Sequence, residues 1–447
     1  MPSPLGQHAI VIGAGVAGLA AAKALSPHFS KVTVLERDVL PVAPIVRAGT
    51  PQARQIHVLL RGGLNALRDD FPELEAGLER AGAVRVRVGL QAQLETPGFD
   101  QFPKRDLGFD LLAMTRPLFE FVLRGFVEHQ ANIALRSGCR AVQFLASPNF
   151  DAVAAVSFRD ADGQIGELAA DLFVDASSRG ALVLEFLDRI GLPRPQETEI
   201  GIDLRYATAM FEIPSSTPVG WRAVMHRPSA QSGRGGLLVP VENNRWQVNL
   251  TAMHAEPVPE SIEDFIAYSK TLRTQTIHDA IEHAAPVGPV NRFGFPASVR
   301  RHFEALERFP RGLLPIGDVI CRFNPAFGQG MSVAAQEVAT LRRLLEARAS
   351  EADPLNGLAQ SFFAALQTVL AAPWAVAEAD FVYEKTRGRA PVDLDQRLRF
   401  NSALQRLAVE DAVVHQLMSE VSHLLRPPSA LRDPQIVERV TALMADA

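Results

Sequence analysis

The fold is decided by the stretch that reads His8-Ala9-Ile10-Val11-Ile12-Gly13-Ala14-Gly15-Val16-Ala17-Gly18. The apolar run at its start, 8–12, predicts a strand buried on both faces, as in a parallel sheet. A helix is expected from Val16 to Leu25, and the next apolar run, 32–35, predicts a second strand ending at Glu36. The order of strand, glycine turn, helix and strand is that of a βαβ unit.

The spacing of the three glycines predicts a dinucleotide site. Gly13 permits a tight turn, Gly15 lets the backbone approach a pyrophosphate, and Gly18 lets the helix pack closely on the strand. The helix N-terminus then offers free N–H groups to the phosphates. Glu36 lies 23 positions after Gly13, where a carboxylate is expected to accept hydrogen bonds from ribose hydroxyls. The acid also disfavours a 2′-phosphate in this site.

A second motif occurs about three hundred residues later, where an apolar strand, 313–316, runs into Gly317-Asp318. Asp318 alone would be read as a turn or capping residue. The segment 321–331 then leads into a helix and contains Gly328 and Gly330. Glycines before a helix can bring N–H groups and the positive end of the dipole to the pyrimidine edge of a flavin. Together with the glycine turn, this motif favours FAD.

These motifs resemble the group A FAD-dependent monooxygenase superfamily, the para-hydroxybenzoate hydroxylase-like enzymes. The resemblance is nearest to a bacterial subgroup that includes polyether epoxidases. It is carried by the glycine turn with Glu36, and by 49–60, 175–180 and 317–331. The superfamily's Asp-Gly signature reads Asp175-Ala176 here, and Gln55 replaces the first of two histidines usual in the subgroup.

The resemblance and the strand pattern predict an α/β fold. A Rossmann-like FAD-binding domain carries an inserted antiparallel-sheet substrate domain, of α+β character, and a helical C-terminal region. The expected FAD-binding domain is discontinuous and takes residues 1–84, 108–197 and 292–355. The substrate domain takes 85–107 and 198–291, and the helical region takes 356–447.

The resemblance also implies which residues contact the cofactor. Cofactor-binding roles fall on Gly13, Gly15, Gly18, Glu36, Arg37, Arg54, Arg116, Asp318, Gly330 and Met331. The flavin ring is expected beside Pro325, Gly328, Gln329 and Gly330. No acid–base residue is expected; His57 is a candidate pocket group, although a polar residue packed under the helix is the favoured interpretation. Candidates for an apolar substrate pocket are Tyr206, Met210, Phe211, Trp221, Trp246, Phe293 and Phe295, although simple core packing is the favoured interpretation of each one.

The activity implied is oxygen insertion. NAD(P)H reduces FAD, O2 adds to give a flavin hydroperoxide, and one oxygen atom passes to an aromatic or olefinic substrate by hydroxylation or epoxidation. The substrate is a small molecule or a peptide- or carrier-bound group such as tryptophan. A flavin-dependent reductase, a halogenase and a non-catalytic FAD-binding partner protein stay open as alternatives. The halogenase signature with two tryptophans is missing, because Trp221, Trp246 and Trp374 are isolated.

Composition narrows the partners. The net charge of −5 provides no basic field for nucleic acid. Cys139 and Cys321 are the two cysteines and form no CxxC, so no metal site is expected. No uninterrupted apolar run reaches transmembrane length, and a cytoplasmic protein is expected. The oligomeric state stays open.

Overall fold

The computed structural model describes residues 4–215 and 220–445. Its strands are β1 (Gly6–Ile12), β2 (Phe29–Glu36), β3 (Val84–Arg87), β4 (Ala92–Glu95), β5 (Asp110–Ala113), β6 (Ile133–Ser137), β7 (Arg140–Ala146), β8 (Val153–Arg159), β9 (Ile165–Ala169), β10 (Leu172–Asp175), β11 (Glu197–Glu212), β12 (Ala223–His226), β13 (Gly235–Val241), β14 (Arg245–Ala252), β15 (Asn291–Arg301), β16 (Leu313–Pro315), β17 (Cys321–Arg322) and β18 (Arg387–Gly388).

The helices are α1 (Val16–Leu25), α2 (Arg61–Leu67), α3 (Leu74–Arg80), α4 (Arg116–Glu128), α5 (Ala181–Arg189), α6 (Ile262–Ser269), α7 (Thr276–Ile281), α8 (Gly330–Ala347), α9 (Leu358–Ala377), α10 (Leu394–Glu410), α11 (Ala412–Ser422) and α12 (Pro434–Ala445). Short 3-10 turns at Gly317–Val319, Pro325–Phe327 and Glu378–Val382 matter for the site.

A parallel sheet forms the centre of the first half of the molecule. Its order is β16-β10-β1-β2-β6, and every neighbouring pair in it is parallel. The last four residues of β1 are buried, as the apolar run predicts. Since β1, β10 and β16 are adjacent and parallel, their carboxyl ends meet at one edge. That edge is where an α/β sheet binds its ligands.

A second, larger sheet has the order β17-β15-β11-β14-β13-β12-β4. It is antiparallel except at β4, which pairs with β12 in parallel. One face packs on α6 and α7 through an apolar cluster that includes Phe211, Trp246 and Phe265. The other face is turned toward the half of the molecule that contains the glycine turn. Thr208 and Gln247 on this face donate hydrogen bonds to segment 52–60.

Helices fill the C-terminal part, as predicted. α9 and the turn after it form a stretch, Leu358–Val382, long and apolar enough to cross a membrane by length and composition alone. Phe362, Phe363, Leu366 and Leu370 of this stretch belong to the main hydrophobic core, which accounts for its hydropathy. The predicted α/β class with an inserted sheet and a helical C-terminal region is confirmed. The domain limits stay a prediction.

Candidate active site

The glycine turn combines two crowded positions with one open position. A Cβ on Gly18 would lie 1.9 Å from the carbonyl oxygen of Gly13, and Gly13 itself has a φ of +100°. A Cβ on Gly15 would meet no atom within 4 Å. Gly13 and Gly18 are therefore required by the turn and by the packing of α1, whereas Gly15 leaves space on the outer side of the turn.

A buried ion-pair cluster supports the turn. Glu36 Oε2 accepts a hydrogen bond of 2.7 Å from Ala14 N and lies 3.2 Å from Nη1 of Arg47. Arg47 also pairs with Asp38 at 3.2 Å and with Glu120 at 3.0 Å. Burial opposes the charge of Arg47, but the surrounding carboxylates raise its pKa overall. A carboxylate has about four lone-pair sites, so Glu36 keeps acceptor capacity for a further donor.

The cluster continues to His57 through Arg116. Arg116 Nε donates to Glu120 Oε1 over 2.9 Å, and its Nη1 lies 3.0 Å from Nε2 of His57. Because an arginine only donates, Nε2 accepts and Nδ1 carries the proton that it donates to Gln55 O. Burial and the charge of Arg116 lower the pKa of His57 to about 3. His57 is therefore a neutral residue with a hydrogen-bond partner at each ring nitrogen.

The carboxyl ends of β10 and β16 bring two aspartates to the same edge. Asp175 is fully buried, and its Oδ1 accepts from Ser177 N over 2.9 Å. Ser178 Oγ lies 3.3 Å from Asp318 Oδ2, joining the loops after the two strands. Burial raises the pKa of Asp318, and the charge of Arg116 opposes this rise.

Glu337 of α8 lies beneath this edge. It is fully buried, and its Oε2 accepts from Gly317 N over 2.5 Å. Burial raises its pKa to about 8, so the side chain is protonated at neutral pH. The buried position of Glu337 could not be predicted from the sequence, since a glutamate among helix residues indicates a solvated position.

The C-terminal region stabilises the loop before α8 through a hydrogen bond between Asn324 and Asp380. Asn324 caps the turn by accepting from Ala326 N, and its side-chain amide donates to Asp380 Oδ2, both over 2.9 Å. Burial raises the pKa of Asp380 to about 7. Gln329 is 3% exposed, and its Oε1 has no hydrogen-bond partner within 4–215 and 220–445. Because buried polar atoms are normally hydrogen-bonded, Oε1 of Gln329 is a candidate acceptor for a ligand that binds at this loop.

Segment 52–60 lies between this loop and the second sheet. A Cβ on Gly328 would lie 3.4 Å from Cβ of Val58. Thr208 Oγ1 of β11 donates to Gln55 Oε1, and Gln247 Nε2 of β14 donates to Arg54 O over 3.0 Å. The face of the second sheet that carries Thr208 and Gln247 is therefore the face that lies toward the glycine turn and the loop before α8.

The predicted pocket residues lie on both faces of the second sheet, because side chains alternate between the faces along a strand. Tyr206 and Met210 share the face of Thr208, whereas Phe211 and Trp246 lie in the cluster on α6 and α7. Trp221 packs against that same far cluster. Phe211 and Trp246 therefore lie in the core on the far face, because odd and even positions of a strand point to opposite faces.

The predicted cofactor residues divide into two groups. Around the carboxyl edge and in the loop lie Gly13, Gly15, Gly18, Glu36, Arg116, Asp318, Pro325, Gly328, Gln329, Gly330 and Met331. Arg37 and Arg54 form the second group: both are exposed, and Arg37 donates to Gly49 O over 2.9 Å. Three residues of the site, Arg47, Glu337 and Asp380, were not identified from the sequence. Glu120 lies four residues after Arg116, which is the spacing of an ion pair on one helix face, so its contact with Arg116 could have been predicted.

Comparisons with known proteins agree with this fold. The family described as FAD binding domain matches residues 7–357. Protein Rv3254 of Mycobacterium tuberculosis (strain ATCC 25618 / H37Rv) is 32% identical over 358 residues, which are 77% of this chain and 74% of that protein. The chain belongs to the FAD binding domain family.

Solved structures share the fold at low identity. The flavin-dependent brominase Bmp2 is 14% identical with a TM-score of 0.66, covering 98% of this chain and 100% of that one. The p-nitrophenol 4-monooxygenase PnpA from Pseudomonas putida DLL-E4 is 18% identical with a TM-score of 0.63, over 95% and 99% of the chains. Pseudomonas aeruginosa PqsL in complex with 2-aminobenzoylacetate is 16% identical with a TM-score of 0.62, over 84% and 99%.

The predicted resemblance to the para-hydroxybenzoate hydroxylase-like superfamily is confirmed, since these neighbours are its monooxygenases and halogenases. Identities this low establish the fold and leave the reaction open. The chain is therefore an FAD-dependent oxidoreductase by family, with a monooxygenase- or halogenase-type fold.

Proposed function

We propose that this protein is an FAD-dependent monooxygenase that uses NAD(P)H and O2 to hydroxylate or epoxidise an aromatic or olefinic substrate. The observation that carries the proposal is the convergence of three elements on one edge. The open turn at Gly15 follows β1, the Ser178–Asp318 contact joins the loops after its neighbours β10 and β16, and the loop 324–331 leads into α8, whose Glu337 binds Gly317 N.

The chain's own groups fit a flavin dinucleotide. The space outside Gly15 suits a pyrophosphate, and the shallow cleft lined by Ala14, Arg47 and Pro117 is the proposed place of the adenosine end. Glu36 has acceptor capacity for the ribose hydroxyls. Asp318 suits a ribityl hydroxyl, with Arg116 close enough to lower its pKa. Arg37, Arg54 and Met331 complete the proposed set.

The start of α8 suits the flavin ring. Gln329 precedes the helix, and its side chain makes no capping hydrogen bond. The first N–H groups of the helix and the positive end of its dipole then favour an anionic ring edge. Pro325, Gly328 and Gly330 would flank the ring. Reduced FAD, when bound, supplies the activation of O2 and the transfer of one oxygen atom.

The protein's contribution to catalysis is positioning and exclusion of water. Val239 is buried on the near side of the second sheet, packed with Met210 and Leu237, and gives an apolar wall. Gln247 Oε1 and Asn249 Oδ1 on the same side are buried without a partner among the described residues, and suit polar groups of a substrate. Such a wall keeps water from the reacting centre. No acid–base residue is needed, and His57 acts by holding Arg116.

We infer a cytoplasmic enzyme with a small-molecule or carrier-bound aromatic substrate. That PqsL forms a complex with 2-aminobenzoylacetate, an aromatic compound, is in keeping with this class. The NAD(P)H reductant rests on the superfamily resemblance, and the Ala176 departure makes its direct measurement necessary.

The test is a screen of aromatic and olefinic compounds for stimulated NAD(P)H oxidation, followed by mass spectrometry of products formed under labelled O2. The proposal predicts one labelled oxygen atom in the product. Turnover without label would identify a reductase. Product formation that depends on bromide or chloride would identify a halogenase, the second candidate that the Bmp2-like fold favours. FAD binding without turnover of any compound would favour the non-catalytic partner protein.

A further inference from the structure

Two amide side chains of β14 stand in adjacent rows on one face of the second sheet. Asn249 pairs with Thr208 of β11, and Gln247 pairs with Met210. Residues that lie opposite each other on neighbouring strands point to the same face, and so do residues two apart on one strand. Gln247 and Asn249 are therefore neighbours on the face that lies toward the glycine turn and the loop before α8.

The amide of Gln247 has a fixed orientation. Its Nε2 donates to the backbone oxygen of Arg54 over 3.0 Å, and a carbonyl oxygen only accepts, so the two ends of the amide cannot be exchanged. Gln247 is 3% exposed, and its Oε1 is buried without a hydrogen-bond partner within 4–215 and 220–445. Gln247 therefore presents a buried acceptor that lacks a donor.

Asn249 adds a second acceptor in the same condition. It is 4% exposed, and its Oδ1 is buried with no partner among the described residues. Because buried polar atoms are normally hydrogen-bonded, two neighbouring oxygens without donors mark a place for a ligand that brings two donors.

The neighbouring hydroxyl group cannot supply either donor. Gln55 Nε2 donates to the backbone oxygen of Asn291 over 3.3 Å, which fixes the amide of Gln55 as well. Thr208 Oγ1 donates its single proton to Oε1 of Gln55, so this hydroxyl can only accept from a further group. Gln55 replaces a histidine that is usual in the subgroup, so this arrangement does not follow from the family resemblance.

The surroundings of the two amides are apolar. Met210, Leu237 and Val239 of the same sheet belong to one hydrophobic cluster with Ile56 and Val58. A carboxylate is disfavoured in such a place, because its oxygens are acceptors and would lie against acceptors after losing their hydration. The cluster suits a ring, and the two amide oxygens suit a neutral donor group on that ring.

The number of protons separates the candidate groups. A carboxylate brings no proton and a phenol brings one, so neither can satisfy both amide oxygens. A primary aromatic amine brings two N–H groups, and its nitrogen lone pair is delocalised into the ring and needs no donor. The amine also makes the ring electron-rich, which suits the oxygen insertion proposed above.

We propose that Gln247 Oε1 and Asn249 Oδ1 accept the two N–H groups of a primary aromatic amine, and so select arylamines over phenols and carboxylic acids. The ring extends from this pair toward the start of α8, where a Cβ on Gly330 would meet no atom within 4 Å. This inference rests on the proposed function and names its substrate class.

Isothermal titration of the FAD-loaded protein at neutral pH tests the proposal without turnover. The probes are 4-ethylaniline, its N,N-dimethyl derivative, 4-ethylphenol and 4-ethylbenzoate. We expect 4-ethylaniline to bind about 5- to 100-fold more tightly than the N,N-dimethyl derivative, the range for leaving a buried polar group without its partner. The phenol and the benzoate should also bind more weakly than the amine.

Two variants each remove one acceptor at similar side-chain volume. Gln247→Met and Asn249→Leu should each reduce the preference for the amine by about fivefold or more. Gln275→Met is the matched control, since it makes the same change at an exposed position before α7, where Nε2 donates to Leu272 O over 3.3 Å. The preference should survive in Gln275→Met. The visible flavin spectrum of each variant reports that the fold and the cofactor are retained.

The outcomes that would overturn the proposal are distinct. They are equal binding of the amine and its N,N-dimethyl derivative, tighter binding of the phenol or the benzoate, no binding of the amine, and an unchanged preference in both acceptor variants. Absence of labelled oxygen from product, with the preference for the amine retained, would instead overturn the monooxygenase proposal alone.

Discussion

The side-chain amide of Asn324 donates a hydrogen bond to Oδ2 of Asp380 over 2.9 Å. Both residues are almost fully buried, at 0% and 2% exposed. Asn324 caps the turn before α8, and Asp380 belongs to the C-terminal region. The contact therefore connects the proposed seat of the flavin ring to helices that the minimal dinucleotide fold does not need.

Asp380 should give activity a pH dependence. Burial raises its pKa to about 7, so the carboxyl is neutral below that pH and charged above it. We expect NAD(P)H oxidation to change across the range of about pH 6 to 8, and Asp380→Asn to remove that change because its amide cannot ionise. Asp353→Asn, at an exposed pair with Arg311, is the control. An identical pH profile in Asp380→Asn would exclude this role.

Glu337 should lower stability as pH rises. Its pKa is raised from 4.5 to about 8 in the folded protein, so ionisation favours the unfolded state as pH rises through that range. Glu337→Gln keeps an acceptor for Gly317 N and has no charge. We expect it to raise the free energy of unfolding at pH 8 by about 1 to 3 kcal/mol, and to change it little at pH 4.

Urea denaturation at both pH values measures this effect. Glu346→Gln on the exposed side of α8 is the control and should alter stability by no more than about 0.5 kcal/mol. Equal or lower stability of Glu337→Gln at pH 8 would contradict the assignment of a protonated Glu337.

Arg47 should be essential for stability. Its removal leaves Glu36, Asp38 and Glu120 close together without their shared cation. We expect Arg47→Met to cost about 3 to 5 kcal/mol in the free energy of unfolding, measured with urea. Arg68→Met, which removes an exposed pair with Glu75, should cost at most about 1 kcal/mol. Similar losses in the two variants would show that the buried cluster adds little.

Gly18 and Gly15 should respond differently to alanine. The Cβ of Gly18→Ala would lie 1.9 Å from the Gly13 carbonyl, so we expect misfolding or loss of soluble protein. Gly15→Ala meets no protein atom within 4 Å and should fold normally. Its methyl group would occupy the space proposed for the pyrophosphate, so we expect FAD affinity to fall by about tenfold or more. Circular dichroism and FAD titration separate the two effects.

The first βαβ unit could be predicted because its signals are local. The helix Val16–Leu25 has the predicted bounds, and the strand at 8–12 begins only two residues earlier. Glu36 was found at the end of β2 because its distance from Gly13 is fixed by one helix and one strand. The inserted sheet was also predictable from apolar runs, although the parallel pairing of β4 depends on long-range contact.

The ion pairs and hydrogen bonds that stabilise the site could not be predicted from the sequence. Arg47 meets its carboxylates across 9 to 73 residues, and Asp380 meets Asn324 across 56. Such pairs follow from tertiary packing. The position of Trp246 in the far cluster could not be predicted for a related reason, since the sequence does not say which face of a sheet a strand turns toward a ligand.

The visible absorption spectrum of the protein, saturated with FAD and freed of excess by gel filtration, tests the central claim most directly. We predict the two bands of bound oxidised flavin in the wild-type protein, and weaker bands in Gly15→Ala at an unchanged circular dichroism spectrum. A wild-type protein that stays colourless, or a Gly15→Ala variant that keeps full flavin content and affinity, would contradict the claim that this turn holds FAD.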